Sequence, residues 1–483
     1  MDTITPFLDP MTRQTRAYAL DALRGFAILT MLLSGQLPFF TNTLPDWMYH
    51  AQVPPPAHQF IPTLAGITWV DLVFPFFLFS MGAAFPLALS RRIEKGIPMW
   101  KISLAILERG FLLGFFALYV QAIRPYTLSQ NPTTTIWLAA LLGFLLLFPT
   151  LSRLPETWSP AARWSTKIIG WIGAILFLAL ARYPDGTGFS LYRSDIIIVV
   201  LTNMAVFGAF VWLLTRSNLL MRLGILGILA AIRLSSIPVP VEGWVNTFWK
   251  FTPAPWIYTL YYQQYLFIVI PGMIAGDMIL KWIKSPQTEN GERWQTVRLI
   301  SITVLMFVFI IEMLIGLKAR WLVGTTLLTF VLCIIGWRLM SKPTNEIERL
   351  YKGMFQWAIY WLVLGLLFEP YEGGIKKDHP TMSYYFITAG LAVCMLIGFS
   401  IIIDVFKRRR WLQFLIDNGQ NPMIAYAGIN NFIVPLLALT SLSAVLDAMA
   451  VTPWLGFVKG VIITMLLAWF VSFCTKKKIF WRT

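Results

Sequence analysis

Residues 50–82 read HAQVPPPAHQFIPTLAGITWVDLVFPFFLFSMG. The first half is a loop. Pro54, Pro55 and Pro56 are consecutive, and none can donate a backbone hydrogen bond. The second half is an apolar helix that starts near Trp69 and carries Asp71 in its first turn. A proline-stiffened loop with two histidines, His50 and His58, therefore leads into a carboxylate at the mouth of a membrane helix. That pattern decides the fold class: this chain enters a bilayer.

The rest of the chain repeats the second half. Of its 483 residues, 57% are hydrophobic and 13% charged. Repeated apolar runs of about 20 residues mark transmembrane helices. We expect an all-α, polytopic transmembrane helix bundle of about fourteen helices (range 11–14), forming one domain over 1–483. The spans expected are 19–40, 69–90, 102–123, 135–151, 168–182, 196–214, 219–236, 256–282, 299–317, 321–340, 354–369, 384–406, a thirteenth built on the motif GQNPMIAYAGINNFIVPLL, and 454–474.

A net charge of +16 suggests nucleic acid in a soluble protein. Here the basic residues gather in alternate loops, as the positive-inside rule requires. The loop 41–68 has no Lys or Arg and is expected to be periplasmic. Arg91, Arg92, Lys95 and Lys101, the KRRR run at 407–410 and the final lysines are expected on the cytoplasmic side, with both termini and the tail 1–16. Lys318, Arg320, Lys376 and Lys377 are exceptions. The first apolar run carries Asp21 and Arg24 and lacks a cleavage site, so it is expected to stay as helix one. Cys333, Cys394 and Cys474 lie in apolar runs without metal-ligand spacing, so neither metal nor disulfide is expected.

Ionisable groups inside apolar helices are expensive and mark cavities or function. Asp21 and Arg24 share a helix face and are expected to pair. Glu108 and Arg109 are read as a second pair inside helix three. Pro271 and Gly272 are expected to kink helix eight and free backbone groups toward a cavity. A Trp- and Pro-rich loop, 237–256, suits either the membrane surface or the wall of a sugar site.

Several motifs together resemble one family: LDALRGFAI in helix one, GITWVDLVFPFFLFSMG in helix two, RGFLLGFF in helix three, YLFIVIPGMIAGD in helix eight, and GQNPMIAYAG. They look like the bacterial relatives of heparan-alpha-glucosaminide N-acetyltransferase. The VPPPxHxF opening resembles a subgroup in Bacteroides-type bacteria described only as a domain of unknown function. The resemblance implies a multi-pass acetyltransferase of the bacterial inner membrane. It would take acetyl-CoA from the cytosol and acetylate an amino sugar, such as a terminal glucosamine on a glycan fragment, on the far side. A histidine in the loop before the DLVFP helix would be catalytic, and His50 and His58 are the candidates. His58 is preferred because it lies nearer the helix and follows the rigid prolines. It would act as general base or as a transient acetyl carrier.

Asp71 would orient the histidine or bind the sugar's ammonium; it is also an ordinary N-terminal helix acid. Arg24, Arg109 and Asn421 are the candidates to hold coenzyme A, whose phosphates need cationic or amide donors. Gln36, with Ser34 and Gly35, stands where the lysosomal enzyme has an asparagine. Gln36, Asn430 and Asn431 are candidate acceptor contacts. Some relatives are instead inner-membrane transporters of N-acetylglucosamine or N-acetylmuramic acid, a reading left open at this point. The partners expected are an amino sugar and the lipid bilayer; a homodimer is left open, and nucleic acid is not expected.

Overall fold

The computed structural model describes residues 16–39, 43–236, 243–285 and 294–481. The expected tail 1–16 falls almost entirely outside these residues, as do residue 40, expected to end helix one, and parts of the loops at 237–242 and 286–293. Twelve helices of 18 residues or more are long and apolar enough to cross a membrane. Two of 17 residues bring the number among the described residues to fourteen.

In chain order these are α1 Tyr18–Ser34, α2 Trp69–Glu94, α3 Met99–Ala122, α4 Thr134–Leu151, α5 Pro160–Leu180, α6 Ile196–Thr215 and α7 Leu219–Ser235. Then follow α8 Leu260–Lys284, α9 Thr296–Lys318, α10 Leu322–Leu339, α11 Glu346–Phe368, α12 Met382–Val405, α13 Pro422–Leu439 and α14 Pro453–Lys476. The fold is the all-α polytopic bundle expected.

Burial sorts the helices. The apolar window of α12 is 94% buried and that of α2 is 78% buried, while α5 is only 17% buried. The first two are central, and α5 turns most of its apolar surface outward. α2 packs along α8, and α1 packs on α2 and on the short helix Gln413–Gln420. The contact between α2 and α8 is backbone against backbone. Gly82 faces Val269, Gly272 faces Phe79, and Gly276 faces Ala83. α8 runs unbroken through Pro271 from Leu266 to Lys284. Gly272, expected with Pro271 to free backbone groups toward a cavity, instead lets α8 approach α2 closely.

Two further expectations change. The motif of helix thirteen is split between two helices: Gln413–Gln420 ends at Asn421, and Pro422 starts α13 at its first turn, where its missing N–H costs nothing. Glu108 and Arg109 do not pair. Consecutive positions point about 100° apart on a helix, so Glu108 is exposed while Arg109 turns inward.

The ends of the bundle differ in chemistry. One end collects the starts of α2, α8 and α12 and is called here the histidine side; the opposite, basic side carries Arg92 and the 407–410 run. Two of the cations that break the charge pattern meet acids on the histidine side: Lys318 lies 3.1 Å from Asp46, and Arg320 lies 2.5 Å from Glu369.

Candidate functional site

Asp71 closes a capping box with Thr68 at the start of α2. Its Oδ2 accepts the backbone N–H of Thr68 at 2.9 Å and of Ala51 at 3.2 Å. The macrodipole and the unsatisfied N–H groups of a helix start favour a carboxylate there. Oδ2 is thus consumed by structure. Oδ1 is fully buried and accepts no hydrogen bond among the described residues. Its neighbours are His50 Nε2 at 3.5 Å and Lys377 Nζ at 3.9 Å. Tyr384, from the first turn of α12, fixes the same turn of α2 by donating its hydroxyl to the Asp71 carbonyl at 2.8 Å.

His50, not His58, is the histidine brought to Asp71. Nδ1 of His50 accepts the backbone N–H of Gln52 at 3.0 Å, so the ring proton sits on Nε2. Nε2 then faces Asp378 Oδ2 at 3.0 Å and Asp71 Oδ1. The Gln52 side chain, itself buried, clamps the loop that carries Asp378. Its Oε1 accepts the Asp378 N–H at 2.8 Å, and its Nε2 donates to the carbonyls of Asp378 and Pro62. Loop 50–58 and loop 375–381 therefore meet over the start of α2.

His58 lies elsewhere. Its ring packs edge-on to Phe39 and Tyr49, with centroids 4.9 and 4.6 Å apart, and both ring nitrogens are buried without a partner. The loop turns His58 into this aromatic wedge instead of toward the carboxylate.

Burial alone would raise the Asp378 carboxyl. The hydrogen bond from His50 and the charges of Lys377, His50 and His379 outweigh it and hold the group below the usual carboxylate range. A depressed native value stabilises the fold above the unfolded value near 4 and is lost as pH falls through the lower folded value. The stability difference between wild type and Asp378→Asn should therefore shrink on acidification from about pH 5 to about pH 2. Tryptophan fluorescence during acid titration measures it; a difference constant with pH would refute the assignment.

On the basic half of the bundle lies a cavity of about 360 Å³. Arg24, Arg92 and Arg109 line it, with no acidic side chain in its wall, and Phe77, Met81 and Leu113 add apolar surface. Arg24 sits between α1 and α2, donating to the Ser80 carbonyl at 3.2 Å and lying 3.8 Å from Asp21. The expected Asp21–Arg24 pair thus exists, although Asp21 lies closer to Arg16, at 2.7 Å. Arg109 Nε is buried with no partner among the described residues. Tyr426 also lines the cavity and donates to Asp195, which pairs with Arg124 at 2.6 Å.

The other expected contacts fall away from these two places. Asn421 is a structural clamp: its Nδ2 donates to the Ile479 carbonyl at 2.6 Å, and its Oδ1 accepts the Trp481 N–H at 3.3 Å. That pins the C-terminal segment, and Trp481, not Asn421, lines the cavity. Asn430 and Asn431 lie in a π-helical turn packed on α4 and α14, where the Asn431 amide donates to the Ala427 carbonyl. Gln36 bonds its neighbour's carbonyl at 3.2 Å, beside Gly460 of α14.

Sequence reading missed Asp378, Lys377, Gln52 and Tyr384. Only the paired charges of the KKDH run at 376–379, in an otherwise cation-poor loop, signalled them.

The fold and these sites define a multi-pass helical membrane protein with a histidine–carboxylate group at one end and a cationic cavity toward the other. The chain belongs to the family described as Domain of unknown function (DUF5009), whose model matches residues 16–279. The match spans α1 through most of α8, and so includes His50, Asp71, Arg24 and Arg109 but not Asp378. No curated protein matches the chain.

Proposed function

We propose that the protein is an acetyltransferase of the bacterial inner membrane. It transfers the acetyl group of acetyl-CoA to the amine of an amino sugar at the His50–Asp71 site, on the periplasmic face. The observation that carries this reading is the shared wall. α2 carries Asp71 at its start and Phe77, Met81 and Arg92 along the cavity. From Arg92 to Phe77 is about 22 Å along a helix, and Asp71 lies about 9 Å further. Three arginines, of which Arg24 has Asp21 nearby, suit the phosphates of coenzyme A, and the Arg109 Nε, without a partner among the described residues, is a donor waiting for an anion. The apolar stretch beyond suits the arm that carries the thioester.

The roles follow from the hydrogen bonds. Nδ1 of His50 is capped by Gln52, so in this pose the ring is an N–H donor and not a base. Asp71 Oδ1 and Asp378 hold the acceptor's ammonium. As the C–N bond forms and the C–S bond breaks, negative charge grows on the carbonyl oxygen, and the Nε2–H of His50 offsets it. One of these carboxylates first takes a proton from the ammonium to free the attacking lone pair, and the second proton, shed by the nitrogen once the C–N bond has formed, goes to the sulfur, which leaves as the thiol of CoA. The capped Nδ1 also argues for direct transfer over an acetyl-histidine.

The test uses reconstituted vesicles, with acetyl-CoA on the basic face and glucosamine on the other. N-acetylglucosamine should appear on the far side and free CoA on the near side. Arg109→Gln should weaken acetyl-CoA binding about ten- to a hundredfold, the worth of one charge-assisted hydrogen bond, seen as a loss of the ligand-induced rise in melting temperature. Movement of labelled N-acetylglucosamine without acetyl-CoA, and with no CoA released for any amino sugar, would replace the enzyme with a transporter.

A further inference from the structure

The wall of the cationic cavity includes a residue from the far end of the chain. Trp481 follows α14 and lies outside the residues that the family model matches. Its segment turns back from the end of α14 and is tied down through its backbone. The Ile479 N–H donates to the Cys474 carbonyl at 2.9 Å, and the Arg153 N–H donates to the Phe480 carbonyl at 3.0 Å. Ser152 and Trp481 form an antiparallel bridge, and the buried Asn421 amide holds Ile479 and Trp481. These ties carry the Trp481 side chain into the bundle, where the residue is 4% exposed.

The indole sits among phenylalanines. The ring centroids of Phe148, Phe144 and Phe116 lie 5.0, 5.4 and 6.3 Å from it. Such a setting asks only for an aromatic ring. Tryptophan also brings an N–H, and buried tryptophans usually give that donor a partner. Here the indole N–H is buried with no partner among the described residues. A bare donor loses its water and gains nothing in exchange. The phenylalanine rings offer no acceptor oxygen, whereas the cavity beside the indole has room for one.

Other polar groups of the wall are engaged. Arg24 donates to the Ser80 carbonyl, and Tyr426 donates to Asp195. Among the buried side-chain atoms of the described wall, Arg109 Nε shares the condition of the indole N–H. The two donors differ in kind. A guanidinium suits an oxyanion, and an uncharged indole N–H suits a neutral carbonyl. They are also ordered along α3. Arg109, Leu113 and Phe116 line the cavity from one helix face. Phe116, on which Trp481 packs, stands about 10 Å beyond Arg109 along the axis, further from the basic end. A ligand that satisfies both donors has an anionic head toward the basic side and an uncharged acceptor on an arm that reaches inward.

We propose that the Trp481 indole N–H holds an amide carbonyl of the pantetheine arm of coenzyme A while Arg109 holds its phosphates. The proposal rests on the reading that the cavity takes acetyl-CoA. It makes the C-terminal segment part of the donor site and points the thioester end of the arm toward the histidine side. The test measures binding to the purified full-length protein by calorimetry. The probes are acetyl-CoA and adenosine diphosphate, which keeps the pyrophosphate and lacks the arm. Trp481→Phe retains an aromatic ring and removes the N–H. It should weaken acetyl-CoA about tenfold and leave adenosine diphosphate unchanged, whereas Arg109→Gln should weaken both. Equal weakening of both probes in Trp481→Phe would mean a deformed cavity, and unchanged acetyl-CoA affinity would mean no contact with the arm; either result overturns the proposal. Acetyl transfer by Trp481→Phe at an unchanged KM for acetyl-CoA would remove the contact and keep the enzyme. Trp481-dependent binding of acetyl-CoA with no transfer to any amino sugar would remove the enzyme and keep the contact. Wild-type protein that binds no acetyl-CoA would overturn both.

Discussion

His50→Ala should lower acetyl transfer by about 10²–10³-fold, the cost of losing one preorganised oxyanion donor, whereas His58→Ala should stay within a few-fold of wild type. The two histidines share a loop but not an environment. His50 places Nε2 3.0 Å from Asp378 and 3.5 Å from Asp71; the His58 ring has no polar partner among the described residues and packs on Phe39 and Tyr49. His50→Gln separates the proposed roles further. A glutamine amide donates a hydrogen bond but cannot take a proton near neutral pH, so it should recover part of the activity if His50 works as a donor. A glutamine variant as inactive as alanine would make His50 a base and would require the Gln52 contact to open during turnover. Loss of activity in His58→Ala equal to that in His50→Ala would return the role to His58.

The membrane helices were legible in the sequence because each signals itself. A run of about 20 apolar residues is long enough to span the bilayer whatever surrounds it, and all fourteen expected spans have a counterpart. Asp71 was legible for the same reason, since a capping acid is a local device. The partners of Asp71 were not. Asp378 and Lys377 come from a loop more than 300 residues away, and only the packing of α12 on α2 delivers them. The choice between His50 and His58 failed on direction. Nearness to α2 and a rigid proline run favoured His58, but a rigid loop can fix a side chain away from a site as firmly as toward it. Asn421 could not be placed from sequence, because an amide before a proline can clamp backbone as readily as bind a ligand, and here the backbone of Ile479 and Trp481 takes it. Arg24 and Arg109 line a cavity because an arginine inside an apolar helix has few other places to go.

The seam between α2 and α8 should tolerate almost no added volume. A Cβ on Gly272 would lie 2.2 Å from the Phe79 carbonyl oxygen, and one on Gly276 would lie 2.3 Å from that of Ala83. A Cβ on Gly82 would lie 2.1 Å from the Val269 carbonyl oxygen. Each obstacle is backbone, which cannot rotate aside, so the helices must separate by about 1 Å to restore contact distance. In lipid there is little hydrophobic drive to hold separated helices together, and close van der Waals packing supplies most of their attraction. Gly276→Ala should therefore cost about 1–3 kcal/mol, and the double variant Gly272→Ala with Gly276→Ala should leave little folded protein in detergent. Because α2 carries both Asp71 and the cavity wall, any folded remainder should also bind acetyl-CoA poorly. Gly224 on α7 is the control. A Cβ there meets nothing within 4 Å, so Gly224→Ala should stabilise by up to about 1 kcal/mol through the helix preference alone. Melting temperatures by fluorescence-detected size exclusion compare the two. A Gly276→Ala protein as stable as Gly224→Ala would mean that α2 and α8 do not meet backbone to backbone.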